Sequence, residues 1–564
     1  MSPAHKALLY WNTLRYLKPI QIYRRFWFRY HRPSLALKLP DIKLAEKTGT
    51  WRPPIIRSQS LHENDTFVFL NQSHPIHDVS DWNNPALPKL WLYNLHYFDD
   101  LNAQDAKARR EWHRKLMHRW IIENPPTFGN AWEPYPSSLR IVNWIKWALA
   151  GNSLDKKAIQ SLYLQVRWLS SRIEWHLLGN HLLANAKALI FAGVFFFGDE
   201  ARAWLKSGLQ IYQEQIPEQI LADGMHFELS PMYHAILLED ILDILNLSRS
   251  YPNQFEEHFI DLLQVSAQKM LVAHQTLIHP DGQISFFNDA AFGIAAPNDQ
   301  LTGYAQSLGV QKLPNLVNID YQNADNLSLS RLTNAGYVRL ESSNACAFLD
   351  IAAIGPDYLP GHAHADSLSF ELSVFNQRVI VNGGTSSYSD QDIRAYERST
   401  AAHSTVEIDG QNSSEVWGQF RVAKRAYPLD VVVEKVDDAF RVSCSHDGYA
   451  RMATAAIHTR VWQMDKNTLS VADKVHVEQG ATPTSAIARF ILHPSIQIKQ
   501  LCQNQWQLLL PNQKEIQLRV LVGEGHIAGS RYAPEFGKTQ STQCLAVKLV
   551  GSLALHSQVE IHWA

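Results

Sequence analysis

From about residue 86 to 310 the apolar residues recur at three- and four-residue spacing, the period of a helix with one buried face. DAKARREWHRKLMHRWIIE (105–123), SLRIVNWIKWALAG (138–151), KKAIQSLYLQVRWLSSRIEWHLLG (156–179) and EDILDILNLSRSY (239–251) carry the pattern, and no strand alternation interrupts it. From about 330 short alternating runs replace it: AGYVRLE (335–341), ACAFLDIAAI (345–354), SLSFELSVF (367–375), QRVIVNG (377–383), HSTVEIDG (403–410) and RVWQMDKNTLSVADKV (460–475). Such runs predict antiparallel strands and hairpins. The polar stretch NIDYQNADNLS (318–328) reads as the linker. The chain thus divides into a lead-in (1–85), a helical domain (86–320) and a strand domain (330–564). No fixed-period repeat is visible, and paired helices of similar length suit a helical toroid.

The length agrees with that division, since 564 residues and 64.3 kDa exceed what one core usually serves and 46% hydrophobic residues fill two. Trp usage changes at the same boundary: 13 of the 17 lie at or before Trp204 and four at or after Trp417. The longest apolar run, LIFAGVFFFG (189–198), is closed by Lys187, Asp199 and Glu200, so no membrane-spanning helix is expected. With 52 basic against 54 acidic residues, no field gathers nucleic acid, and a polyanion must be held locally. Cys346, Cys444, Cys502 and Cys544 form no CxxC pair and read as core thiols in a reducing compartment. Arg15, Lys18, Arg24, Arg25 and Arg29 interrupt any signal-peptide core, so synthesis in the cytoplasm without a cleaved signal is expected. Before the first acidic residue, Asp41, eight Lys and Arg are interleaved with Tyr10, Trp11, Tyr16, Tyr23, Phe26, Trp27, Phe28 and Tyr30. Two readings stay open: peripheral contact with the inner membrane face, or packing on the main body with the cations in water.

Four segments carry candidate chemistry. GNHLLANAK (179–187) places Asn180, His181 and Asn185 at a helix start, where amide donors and the helix dipole favour a carboxylate; capping alone would also explain Asn180. DGMHFELSPMYH (223–234) makes a turn at Asp223 and Gly224, then a helix capped by Ser230 with Pro231 in its first turn. Capping leaves His226, Glu228, Tyr233 and His234 unexplained. In PGHAHADS (360–367) strand alternation would put His362, His364 and Asp366 on one face, the outer two ~13 Å apart and too far to share a small ion. STAAHSTVEIDGQNSSEVWG (399–418) brings His403 into a strand.

In their order and separations these segments, with WLYNLHYFDDL (91–101), WEPYPSSLRIVNW (132–144) and HPDGQISFFND (279–289), resemble the heparinase II/III-like family of polysaccharide lyases. The chain is most similar to the signal-less soluble members that accompany bacterial exopolysaccharide or capsule production. The resemblance implies an α+β multidomain fold: an incomplete (α/α) helical toroid followed by a layered antiparallel β-sandwich. It also implies β-elimination on an acidic, uronate-containing glycan, in which a proton leaves C5 and the glycosidic oxygen leaves C4. A C5 proton is too weakly acidic to be taken unless the enolate charge is stabilised where it forms. By resemblance Asn180, helped by His181, takes that task, Tyr233 serves as acid, base or both, and His362 acts from the sandwich side. Tyr93, His96, Tyr97, Trp132, Glu133, Arg140, His226, Glu228 and His234 are the expected substrate wall.

No cofactor is required by this chemistry. Family members with a metal resemble this chain at His364 and His403, but the third ligand, an Asp, is matched by Asn382, which weakens the case for zinc. A uronate C5-epimerase would use the same proton abstraction. A non-catalytic glycan-binding component of polysaccharide assembly would keep the cleft without turnover, and the joint presence of Asn180, Tyr233 and His362 argues against it. Nothing resembles paired glycosidase carboxylates or a HExxH helix.

Overall fold

A computed structural model describes residues 3–311, 319–322, 327–452, 455–477 and 485–564. Two helices, α1 (Pro3–Leu14) and α2 (Pro19–Tyr30), precede the main body. The helical domain comprises α3 (Lys89–Tyr97), α4 (Arg110–Glu123), α5 (Pro134–Leu149), α6 (Lys156–Ser171), α7 (Gly179–Phe195), α8 (Asp199–Gln219), α9 (Pro231–Ser250), α10 (Glu257–Thr276) and α11 (Asn298–Ser307). The tryptophans explain its solidity. Trp82, Trp91, Trp120 and Trp144 are fully buried in one apolar core running from Trp51 to Val310, and each large side chain so removed from water contributes about 1.5–3 kcal/mol.

The strand domain has a six-stranded antiparallel sheet from Ile319–Gln322 to Gln377–Ile380 and an eight-stranded one containing Pro428–Val436 and Ala554–Trp563. A four-stranded sheet contains Ala486–Ile491 and Glu524–Glu535. Alternation governs burial, as in Ala456–Met464, where every second residue is buried. The short helix α12 (Gln391–Glu397) interrupts the strands. The toroid-then-sandwich architecture is as the sequence implies.

Several boundaries differ from the expected ones. The stretch 318–328 already contains the strand Ile319–Gln322, paired with Ser328–Leu332, while 318 and 323–326 lie outside the described residues. Helix α6 stops at Ser171 instead of running to 179, because 172–178 must turn to bring Glu174 under the next helix. Segment 360–367 is a loop, and the strand starts only at Phe370. Cys346, Cys444 and Cys544 are buried, but Cys502 is exposed. Among the described residues no helix is long and apolar enough to cross a membrane.

Segment 279–289 is laid between the two halves. Glu371, fully buried on a sandwich strand, accepts hydrogen bonds from His279, the Phe286 amide and the Asn382 amide. Around this segment Met232, Tyr233 and Phe286 pack on Val381, Tyr532 and Phe536, while Met225, Leu229 and Phe287 pack on Tyr337 and Phe348. Helix starts from the toroid and loops from the sandwich therefore meet across a cleft floored by apolar contacts.

Candidate active site

Helix α7 begins against the sandwich. Gly179 has φ +53°, and a Cβ there would meet Leu359 at 2.5 Å and Glu228 Oε1 at 2.8 Å, so glycine alone fits between the halves. Glu228 lies beneath the Asn180 amide; burial raises its pKa, against which His362 and that amide act. The Asn180 side chain, in the first turn and half-buried, makes no protein hydrogen bond among the described residues. Capping does not employ it. His181 packs on Tyr135 with ring centroids 4.4 Å apart and the rings tilted by 40°, and its Nδ1 lies 3.3 Å from Glu174 Oε2. Burial lowers its pKa, but Glu174 and the more distant Glu228 and Glu133 outweigh this and the net shift is upward, toward the cation. Asn185 is structural: it is fully buried, donates to Ser138 and Glu174, and accepts from the Glu174 amide.

Helix α9 begins as its residues require, with Ser230 Oγ accepting the Tyr233 amide at 3.2 Å and Pro231 in the first turn. This fixes Tyr233, whose ring stacks on His362 at 3.8 Å and whose hydroxyl lies 3.1 Å from that of Tyr388. Burial first, then Tyr388 and Asp289, hold the Tyr233 phenol well above its ordinary pKa.

Asp289 organises the sandwich side. Its carboxylate accepts from His362 Nδ1 at 2.9 Å, from His364 Nε2 at 2.8 Å and from both terminal nitrogens of Arg394. Burial would raise its pKa, but Arg394 and the two histidines hold it well below the carboxylate range. An ionised acceptor at Nδ1 selects the His362 tautomer protonated there. The other ring nitrogen, Nε2, lies 3.7 Å from Glu228 Oε2. His362 and His364, neighbours on one face in the sequence reading, thus meet through one carboxylate supplied by the 279–289 segment.

The residues offer a divalent cation an incomplete set of ligands. His364 Nδ1 and His403 Nε2 face each other at 3.1 Å, with His364 Nε2 held by Asp289 and His403 Nδ1 by the Ser399 carbonyl, an outer bonding that orients two imidazole nitrogens toward one place. Asn382 donates to the Phe286 carbonyl and Ser369 Oγ and accepts the Ser404 amide, so its side chain is engaged by the fold and brings no charge to the pair. Among the described residues no three His, Cys, Asp or Glu side chains form a metal-holding group. No step below uses a metal.

Part of the expected substrate wall proves to be core. His96 is fully buried between the Trp82 carbonyl and the Trp120 indole N–H, and burial with nearby Arg140 pushes its pKa down to about 3. Arg140 lies over the Trp120 ring at 4.0 Å and gives its donors to Gln165 and to the His96 and Ala131 carbonyls. Trp132 is buried, its indole bonded to the Asn124 carbonyl. His226 and His234 lock the 223–234 turn: the His226 amide donates to His234 Nδ1, whose Nε2 meets the Met270 carbonyl. His96, Trp132, Arg140 and His234 give these polar groups to the core, while His226, whose Nε2 meets Gln219 Oε1, keeps a buried Nδ1 without a partner among the described residues. The segment alone could not distinguish an aromatic wall from an aromatic core, because the two share a composition. Tyr93 and Glu133 do reach the cleft side as a half-buried hydrogen-bonded pair, and Tyr97 packs on Tyr135, which packs on His181. Glu228 is buried beneath the α7 start, between the Asn180 amide and His362, so it supports the site from below and does not line its wall.

Sequence reasoning did not single out Tyr135, Asp289, Tyr388 or Arg394. Tyr135 and Asp289 lie inside segments carrying the resemblance. Tyr388 and Arg394 follow the GGT turn of 383–385 with no local signal of their own.

A helical toroid is joined to an antiparallel sandwich, and a half-buried amide, a buried tyrosine and a histidine bonded to Asp289 converge in the cleft between them. The chain belongs to the heparinase II/III family: the heparinase II/III N-terminus profile matches residues 93–309 and the heparinase II/III-like C-terminal profile matches 324–563. A heparin-sulfate lyase of Pedobacter heparinus is 25% identical over 431 residues, covering 68% of this chain and 63% of its own. One of Bacteroides stercoris is 28% identical over 249 residues, covering 42% and 36%. The chain thus spans less than two thirds of these relatives' length. A solved structure of heparinase III shares the fold with a TM-score of 0.65 at 17% identity, covering 96% of this chain and 89% of that one.

Proposed function

We propose that this chain is a polysaccharide lyase that breaks a uronate-containing glycan by β-elimination. The observation that carries the reading is the stacked Tyr233–His362 pair, 3.8 Å between centroids, beside an Asn180 amide with no protein partner. Asn180 and the cation-leaning His181 receive the uronate carboxylate and stabilise the enolate as it forms. His362 Nε2, left unprotonated by Asp289, is suited to accept the C5 proton. Tyr233, held as a phenol, is suited to give its proton to the departing C4 oxygen. A group whose pKa is pushed up makes a better resting acid than base. The relatives named as heparin-sulfate lyases favour an acidic glycosaminoglycan-like substrate. Exopolysaccharide or capsule turnover is the context suggested by the sequence resemblance.

The test is incubation with a panel of acidic polysaccharides. A lyase yields a C4–C5 double bond conjugated to the carboxylate, seen as new ultraviolet absorbance. Cleavage with one water added per bond and no absorbance overturns the reading, and deuterium entering C5 without cleavage assigns an epimerase.

A further inference from the structure

The α1–α2 pair lies outside the family match, which begins at residue 93, yet it is docked on both walls of the cleft. On the sandwich side Tyr10 packs edge-on to Trp417 at 4.9 Å, and Thr13 Oγ1 bridges the Trp417 indole and the Val422 carbonyl. On the toroid side Phe28 stacks on His176 at 4.2 Å, and Arg172 donates to the Phe28 and His31 carbonyls while covering the Phe28 ring at 3.6 Å. Lys18 pairs with Glu218 and lies over Tyr358, whose carbonyl accepts from Gln21. Both anchor points adjoin the reacting groups. Segment 172–178 leads directly into Asn180, and Phe420, beside Arg421, lies 6.5 Å from His362 and 5.3 Å from Tyr388.

We infer that the hairpin completes a subsite for an anionic sugar at this end of the cleft, with Arg25 and Arg421 as its cations and Phe420 and Trp417 as its stacking faces. The inference rests on the acidic-glycan reading above. Arg25 and Arg421 are both exposed, and among the described residues neither forms an ion pair. Arg421 lies over the Tyr10 ring at 5.8 Å and the Trp417 ring at 4.9 Å, where α1 meets the sandwich, and Arg25 on α2 feels it: partial burial first, then Arg421, lowers the Arg25 pKa. His176 feels Arg25 and Arg172 as well, and its buried Nδ1 has no hydrogen-bond partner. Like charges and an unpartnered polar atom gathered at one place are costly unless an anion arrives to offset them. A carboxylate or sulfate does so, and a guanidinium holds either with two donors. The exposed Phe420 ring and the half-buried Trp417 ring beside the cations suit the apolar face of a sugar.

The probe is an octasaccharide of alternating glucuronate and N-sulfated glucosamine, titrated calorimetrically into the Tyr233→Phe protein. Arg25→Gln and Arg421→Gln are each expected to weaken binding about tenfold and to flatten its salt dependence, with Arg25→Lys retaining most of the affinity. Thermal midpoints confirm that the variants are folded. In the otherwise unaltered chain Arg25→Gln should raise KM for the polymer by a similar factor while kcat changes less than threefold. If the parent binds the probe and both variants bind it equally well, the subsite is refuted and the acidic-glycan reading stands. If the parent binds no acidic oligosaccharide, that reading fails and the subsite with it. Arg25-dependent binding to phosphatidylglycerol vesicles, with octasaccharide affinity unchanged, would make the hairpin a membrane contact and overturn the inference.

Discussion

Replacing Asp289 with Asn separates two functions that one carboxylate combines. Asp289 accepts Nδ1–H of His362 at 2.9 Å and so keeps Nε2 free to take a proton. An amide in its place can present its N–H to Nδ1, which moves the ring proton to Nε2 and disables the base. The comparable carboxylate-to-amide change behind a catalytic histidine costs about 10⁴ in turnover, so a loss of about 10³-fold or more is expected here. The same carboxylate is the counter-ion of Arg394, and both side chains are fully buried. Leaving a buried guanidinium unpaired costs about 3–5 kcal/mol, so Asp289→Asn should also unfold at markedly lower urea. Adding Arg394→Met to it should recover most of the stability and none of the turnover. The assay is the initial rate of ultraviolet absorbance at a temperature where every variant is folded. Folded Asp289→Asn within tenfold of the parent rate would refute the tautomer argument and place the base elsewhere.

Tyr233→Phe keeps the ring stack but removes the proton, so kcat should fall about 10²-fold or more with binding little changed, as steady-state kinetics will show. Arg140→Met should lower stability by about 1–3 kcal/mol through the orphaned His96 and Ala131 carbonyls, with KM unaltered in the folded fraction; a raised KM would return Arg140 to the substrate wall. Burial lowers the pKa of His274 to about 3 and that of His234 to about 4, so neutral rings are favoured in the fold. Stability from these residues is therefore present above the unfolded pKa of about 6.5 and lost as pH falls toward 4 and below, and His274→Leu should flatten the fall in thermal midpoint over that range. Purified protein should hold well below one equivalent of zinc by elemental analysis, and a full equivalent lost in His364→Ala would show that the two histidines suffice without a charged third ligand.

The sequence by itself determined the elements. A 3.6-residue period made the helices and a two-residue period the strands, because each is set by which local face must leave water. It also determined the caps, since Ser230 and Pro231 satisfy a helix start with neighbours only, and Tyr233 follows from that start. What the tertiary structure decided is which of many polar and aromatic residues face the cleft. His96, Trp132 and Arg140 sit in a stretch as rich in chemistry as Tyr93 and Glu133, yet packing around Trp120 buried the first three and left the pair half-exposed. Asp289 and Arg394 stand 105 residues apart and form one ion pair only because segment 279–289 is laid between the halves. A period reports a face and a cap reports its neighbours, whereas a tautomer or a buried charge pair depends on groups that only the folded chain brings within hydrogen-bond reach.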